Sequence, residues 1–249
     1  MNYLTRFLLL VMLLATVSCS TTGTRDRAAS ARDHTQLGLM YMQNGQNGVA
    51  LDELNKALDA DSNWVMAHGV IALLYQKLGE NKDAKKHFKK SVMLDPGNSE
   101  LHNNYGSFLC ATGELEAAQK QFSKALDNPV YATPDVAYTN AGICKIKQQD
   151  LAGAEQYLLQ ALRYNGKYSQ ALFHMAKLSF DQKSYQLAKS YLLRFHEVSD
   201  YSAATLALLI GVEQQLDDRD AVATNMLLLR RRFPDSAEAI RTMKPGYRP

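Results

Sequence analysis

Small and apolar residues recur along this chain with a period of about 34 residues. A glycine or alanine recurs at intervals of 34, 34, 36, 34 and 35 residues, and an alanine follows each of these residues twelve positions later. The two series are Gly38, Ala72, Gly106, Gly142, Ala176 and Gly211, and Ala50, Ala84, Ala118, Ala154, Ala188 and Ala223. The spacing predicts pairs of antiparallel helices, in which the small residue lets the first helix approach the second and the alanine lies at their closest crossing.

Large apolar residues complete this pattern, most clearly in the first three periods, and the pattern resembles the tetratricopeptide repeat. One helix pair cannot bury its own apolar face, so such pairs stack on their neighbours. The resemblance implies an all-α fold, a right-handed superhelical solenoid of about six repeats. The expected repeats are 31–64, 65–98, 99–134, 135–168, 169–202 and 203–236, followed by a C-terminal tail at 237–249. Two extra residues within 128–134 predict a longer turn between repeats three and four.

Residues 1–18 have the pattern of a targeting segment that is not part of the fold. Arg6 supplies a positive charge, and Phe7–Ala15 form an apolar core too short to span a bilayer permanently. The approach to Cys19 resembles a bacterial lipoprotein signal, in which the cysteine is acylated and becomes the first residue. An ordinary secretory signal is the alternative. The resemblance to a lipoprotein implies lipid on Cys19.

The residues after Cys19 extend this interpretation. Residues 20–27 are polar, and residues 19–30 are expected to form a flexible tether. Ser20, rather than aspartate, follows the cysteine, which by the sorting rule of such lipoproteins implies the outer membrane. We therefore expect a lipid-anchored protein whose body faces the periplasm.

Cys110 and Cys144 remain once Cys19 carries lipid, and their separation along the chain is nearly one repeat. Both are expected on the first helices of adjacent repeats, which run side by side. In an oxidising compartment an even pair of cysteines is usually joined. We expect a disulfide here, and two buried cysteines that never pair are the alternative.

The composition and motifs do not indicate an enzyme or a nucleic-acid-binding protein. The net charge is only +3, and no aromatic residues interleave with the basic clusters to stack on bases. No nucleophile elbow, phosphate-binding glycine loop or paired-carboxylate motif occurs in the sequence. Three of the six histidines, His34, His68 and His102, share one repeat position, which favours packing or groove lining. We expect no catalytic residues, cofactor, metal, nucleic acid or small-molecule substrate.

Two segments carry a closer resemblance. His102–Gly113 and Pro129–Cys144 are similar to the signature stretches of the type IV pilus biogenesis and stability lipoproteins, the PilW/PilF family. With six repeats and the lipoprotein signal, the resemblance covers essentially the whole chain. It implies a pilotin, an outer-membrane adaptor that binds the type IV pilus secretin subunit and promotes its localisation and assembly into a ring. The alternatives are a periplasmic scaffold for cell-wall enzymes or proteases, and a component of outer-membrane protein assembly.

The partner site is expected on the first helices, which line the concave face of a tetratricopeptide solenoid. Residues at the repeat-consensus positions are expected to pack in the core: Leu37, Tyr41, Tyr75 and Tyr105. Met42, Trp64 and Phe108 are the expected partner-binding residues, and capping of the junction between repeats one and two is the alternative for Trp64. The secretin is then bound mainly through repeats one to three, with repeats four to six as an extension or second contact.

Overall fold

The structure, a computed structural model, describes residues 25–243, and within this range it contains helices and loops but no strand. The all-α prediction is confirmed. The predicted targeting segment and Cys19 lie outside the described residues. None of the described helices combines the length and apolar character needed to cross a bilayer. The helices are α1 (25–43), α2 (Asn47–Ala60), α3 (Val65–Leu78), α4 (Asn81–Leu94), α5 (Ser99–Ala111), α6 (Leu115–Leu126), α7 (Pro134–Lys147), α8 (Leu151–Tyr164), α9 (Ser169–Asp181), α10 (Tyr185–His196), α11 (Ala203–Gln215), α12 (Arg219–Arg232) and α13 (Ala237–Thr242).

These helices are arranged as the repeat pattern predicts, with two helices in each predicted segment. The second helix of a pair packs against the first in α3–α4, α7–α8, α9–α10 and α11–α12. The chain divides into two compact units, with unit 1 ending at Phe108 and unit 2 beginning at Leu109.

Glycine allows the close helix crossings that the sequence predicts. A Cβ added to Gly38 on α1 would lie 2.6 Å from Leu54 Cγ and 3.1 Å from the Ala50 carbonyl oxygen on α2. In unit 2, a Cβ on Gly142 would lie 2.9 Å from Leu158 Cγ. Real Cβ atoms essentially never lie within 3.0 Å of such an atom, so a larger residue would force Leu54 or Leu158 to shift at these two crossings. The predicted role of the small residues is confirmed at both positions.

The turn inside each pair contains one residue with a positive φ, and these residues reveal the true register. They are Gly45, Gly79, Gly113, Gln149, Lys183 and Asp217, with φ between 55° and 87°. The spacing from Lys183 to Asp217 equals that from Gly45 to Gly79, and it is one position shorter than the spacing from Ala176 to Gly211. The sixth pair therefore keeps the ordinary period.

This register shows that the last member of each small-residue series was wrong. Ile210 and Val222 occupy the equivalent positions, and both belong to an apolar cluster in which Ile210 is fully buried. Ala223 is exposed, and a Cβ on Gly211 would meet only the Phe180 ring, at 3.6 Å. The sixth pair closes through β-branched residues, not through a glycine–alanine crossing.

The helical region extends past both predicted limits. Residues 25–30, predicted to be part of a flexible tether, belong to α1. The predicted C-terminal tail begins with α13, where Ser236 Oγ accepts a hydrogen bond from the Ala239 amide at 3.1 Å and caps the helix. Ala239 and Thr242 are buried because α13 packs on α11 and α12. Both boundary predictions are corrected by these contacts.

Two features of unit 2 match the sequence. The connection at 127–133 is longer than the one at 165–168, as the extra residues predict. Cys110 and Cys144 are joined by a disulfide, with their Cα atoms 5.7 Å apart. Lys147 Nζ also donates to the Cys110 carbonyl oxygen at 3.3 Å. The end of α5 and the last turn of α7 are thus held together in two ways.

Candidate partner-binding surface

In unit 1, the first helices of the pairs leave large apolar side chains in solvent. Met66 on α3 is 53% exposed and Leu39 on α1 is 36% exposed. Three further apolar residues of α1 and α3 are exposed, namely Leu37, Met40 and Leu78. Several exposed apolar residues on adjacent elements are a feature of surfaces that bind a partner.

In unit 2, the exposed apolar residues lie elsewhere. No large apolar side chain described on α7, α9 or α11 is exposed. Those that are exposed on helices lie on the second helices and on α13: Leu151, Leu159, Tyr164, Leu187, Leu193, Leu227 and Ile240. The first helices therefore differ between the two units, although the repeat is the same.

A cleft of about 250 Å³ runs across the first helices of unit 1. Gly69 on α3 is a buried part of its lining, where an added Cβ would be 3.1 Å from Leu101 Cδ2. The missing side chain lets Leu101 of α5 lie close to α3. The apolar lining of the cleft comes from three helices: Leu39 on α1, Met66, Gly69, Val70 and Leu73 on α3, and Leu101 on α5.

Polar groups border the cleft at the start of α5. Asn98 is engaged in local structure, since its Oδ1 accepts from the Leu101 amide at 3.2 Å and its Nδ2 donates to Asp95 at 3.1 Å. Glu100 and Asn104 complete this edge, and Glu100 is exposed. The cleft is thus an apolar trough with one acidic edge, which suits an apolar segment that carries a polar or basic neighbour.

The three residues predicted to bind the partner lie outside the lining of this cleft. Met42 is half-buried and packs against the α2–α3 core cluster. Trp64 is also half-buried, immediately before α3. The prediction for Phe108 is wrong: it is only 1% exposed, and its ring centroid lies 5.1 Å from that of Phe88. Phe108 faces α4 and belongs to the core of unit 1.

One consensus residue also behaves differently from the expectation. Tyr105 is buried, and Tyr41 and Tyr75 pack on the core cluster as predicted. Leu37 was expected to pack but is 40% exposed. The exposed surface is better indicated by apolar residues between the consensus positions, such as Leu39 and Met66. A side chain at a position that does not face the second helix is not needed for core packing.

The repeated histidines bind groups at the neighbouring second helix or at the preceding loop, as a packing role requires. His34 Nδ1 lies 2.7 Å from Glu53 Oε2, and His68 Nδ1 lies 3.0 Å from His87 Nδ1. His102 Nε2 lies 3.0 Å from the Pro96 carbonyl oxygen. Burial lowers the pKa of His87 to about 4, helped by the charges of His68 and Lys86. Among residues 25–243, no group of three His, Cys, Asp or Glu side chains is placed to hold a metal ion.

Comparisons with known proteins agree with this architecture and decide the family. A tetratricopeptide repeat model matches residues 67–98. The type IV pilus assembly protein PilF of Pseudomonas aeruginosa is 31% identical over 214 residues, which are 86% of this chain and 84% of PilF. The chain belongs to the PilF/PilW family.

Solved structures of the PilF/PilW family have the same fold. A crystal structure of PilW, described as a widely conserved type IV pilus biogenesis factor, superimposes with a TM-score of 0.80 and 29% identity, covering 86% of this chain and 98% of PilW. A structure of Pseudomonas aeruginosa PilF gives a TM-score of 0.78 and 29% identity, covering 87% of this chain and 98% of PilF. The predicted family and tetratricopeptide fold are confirmed, and the protein is a type IV pilus biogenesis protein of this family.

Proposed function

We propose that this protein is a pilotin, an outer-membrane lipoprotein that binds the type IV pilus secretin subunit and promotes its localisation and multimerisation. The observation that carries the proposal is the apolar cleft on the first helices of unit 1, in a chain of a type IV pilus biogenesis family. A tetratricopeptide fold supports an adaptor that binds proteins rather than an enzyme. The secretin subunit is the partner that we assign to the cleft.

The size of the cleft favours a segment of a protein as its occupant. At about 250 Å³ it is smaller than most small-molecule pockets, which measure about 300 to 1,000 Å³. It can take apolar side chains from a segment lying across α1, α3 and α5. Full burial of a Leu or Met side chain contributes about 1.5 to 3 kcal/mol, so Leu39 and Met66 are strong anchors for such a segment.

The proposed lipid on Cys19 determines the membrane to which the protein and its bound subunit are delivered. One acyl chain holds a protein at a membrane only marginally, whereas two or more chains hold it stably. A triacylated Cys19 carries the bound subunit to the outer membrane. Confinement to the membrane then raises the local concentration of subunits, which favours ring closure without any catalysis.

Charge substitutions in the cleft test this function against a matched control. Leu39→Glu/Met66→Glu places two carboxylates in the cleft. The control, Leu159→Glu/Leu193→Glu, alters second-helix residues of nearly equal exposure, 37% and 51% against 36% and 53%. Secretin multimers in the outer membrane are counted for each variant, and circular dichroism verifies folding.

The cleft variant is expected to reduce secretin multimers about tenfold or more, since each lost anchor weakens binding by about 1.5 kcal/mol or more. The control is expected to match the unaltered protein. Normal multimers with a folded cleft variant would contradict the proposal. The mass of the membrane-extracted protein tests the anchor separately, and an unmodified Cys19 would rule out lipidation.

A further inference from the structure

Helix α4 carries a concentration of positive charge that the proposed function does not use. Five lysines and one aspartate fall within its fourteen residues, Asn81–Leu94. The second helix of the preceding pair, α2, has one lysine and three acidic residues. The lysines of α4 are Lys82, Lys85, Lys86, Lys89 and Lys90.

Most of this charge forms one stripe on the solvent face. Residues three and four apart lie on the same side of a helix, so Lys82, Lys86, Lys89 and Lys90 line up with Met93 at the end of the row. The opposite face is buried through Ala84, Phe88 and Ser91. Met93 is 63% exposed, so the stripe ends in an apolar side chain standing in solvent.

These four ammonium groups are available, in contrast to several other lysines of the chain. Lys56, Lys145 and Lys189 form ion pairs with nearby carboxylates at 2.7, 2.8 and 3.1 Å. The four lysines of the stripe form no ion pair with any described residue. Asp83 on α4 and Asp61 before α3 are the carboxylates whose charges act on the adjacent histidines.

A hollow of about 320 Å³ lies between these lysines and α3. Its walls are almost wholly apolar, formed by lysine methylenes, Met93 and the rings of His68 and His87. His87 is neutral near pH 7 because burial lowers its pKa to about 4, so the positive charge comes from the lysines alone. The hollow thus has an apolar interior beside a row of ammonium groups on α4.

We propose that this stripe binds anionic phospholipid at a membrane surface, with phosphates on Lys86, Lys89 and Lys90 and the apolar part of the lipid against Met93. A row of lysines complements a negatively charged headgroup layer. The apolar interior matches the glycerol and acyl region below that layer. An acidic protein segment would satisfy the lysines but leave this apolar wall without a counterpart. The contact would orient unit 1 on the membrane, and it does not depend on secretin binding.

Lysine reactivity tests the contact in the full-length protein purified from its cells. The protein is mixed with vesicles of phosphatidylethanolamine and phosphatidylglycerol in equal parts, or of phosphatidylethanolamine and phosphatidylcholine in equal parts. An amine-reactive reagent then labels lysines, and mass spectrometry measures each rate. Lys120 and Lys124, exposed on α6, are the internal controls.

Phosphatidylglycerol should slow labelling of Lys86, Lys89 and Lys90 about fivefold or more relative to phosphatidylcholine. Lys120 and Lys124 should react equally with both vesicles. High salt should remove the protection, because the Debye length falls to about 3 Å at 1 M. In the variant Lys86→Glu/Lys89→Glu, labelling can still be followed at Lys82 and Lys90, and phosphatidylglycerol should no longer slow it there. In the control Lys120→Glu/Lys124→Glu, phosphatidylglycerol should still slow labelling of Lys82 and Lys90.

Equal rates in both vesicles would overturn the proposal. So would protection by a poly-glutamate peptide together with no protection by phosphatidylglycerol, which would assign the stripe to an acidic protein. Neither result bears on the secretin multimers counted for the cleft variants, so failure of this inference and failure of the pilotin proposal are distinguishable.

Discussion

Units 1 and 2 are built from the same helix pair, but among the described residues only unit 1 exposes large apolar side chains on its first helices. In unit 1, α1 and α3 present Leu39 and Met66 beside an open cleft. In unit 2, the described first helices expose no large apolar residue, and the exposed ones lie on second helices such as α8 and α10. The repeat consensus determines how the pairs close, while the residues between consensus positions determine which face can bind a partner.

The helix crossings give a second difference, between the pairs that close through glycine and the sixth pair. Gly38 in unit 1 and Gly142 in unit 2 allow crossings that a Cβ would obstruct. Gly211 has no such function, because the sixth pair closes through Ile210 and Val222. A glycine of the repeated small-residue series is therefore needed for close packing at Gly38 and Gly142 but not at Gly211.

Alanine substitutions at these glycines should have opposite effects. Gly38→Ala places a Cβ 2.6 Å from the fully buried Leu54 side chain, and such overpacking costs about 1 to 3 kcal/mol. Gly211→Ala meets the Phe180 ring at an ordinary 3.6 Å and improves helix propensity by up to about 1 kcal/mol. Urea unfolding of both variants measures the difference. Destabilisation by Gly211→Ala as large as that by Gly38→Ala would contradict the assigned register.

The half-buried imidazoles of His87 and His196 give a smaller, pH-dependent difference between the units. In unit 1, burial and the charges of His68 and Lys86 lower the pKa of His87 to about 4. In unit 2, burial alone lowers the pKa of His196. The pKa of His87 is lower in the folded state than in the unfolded state. Its contribution to the free energy of unfolding is therefore complete above about pH 6.5 and is lost as the pH falls toward about 4.

His87→Gln should therefore remove part of the acid sensitivity of the fold. Because the ring is only half-buried, solvent screening limits the change to about 1 kcal/mol between pH values of about 7 and 4.5. His196→Gln should change this pH dependence less, and urea unfolding at both pH values compares the variants. If His87→Gln loses as much unfolding free energy on acidification as the unaltered protein, His87 does not cause the acid sensitivity.

Sequence periodicity predicted the helix pairs, the longer connection between repeats three and four, and the cysteines on adjacent first helices, because each depends on regular spacing. It failed where one residue of register matters: Gly211 and Ala223 continue the small-residue series, yet the turn at Asp217 places Ile210 and Val222 at the crossing. Helix α13 was missed because six residues are too few to show a period.

The candidate partner-binding surface was only partly predictable, for a related reason. The sequence indicated repeats one to three, where the cleft lies, but named Phe108, which packs against Phe88. A position on a first helix can face either the second helix or solvent, and the identity of an aromatic residue does not distinguish the two. The contacts between α4 and α5 were needed to decide.

Photo-crosslinking in cells tests most directly the claim that unit 1 binds the partner through its first helices. A photoreactive amino acid is placed at Met66 in one strain and at Leu193 in another, since these positions are 53% and 51% exposed. We predict a crosslink to the type IV pilus secretin subunit from position 66 and none from position 193. Crosslinking to the secretin from position 193 but not from position 66 would contradict the account.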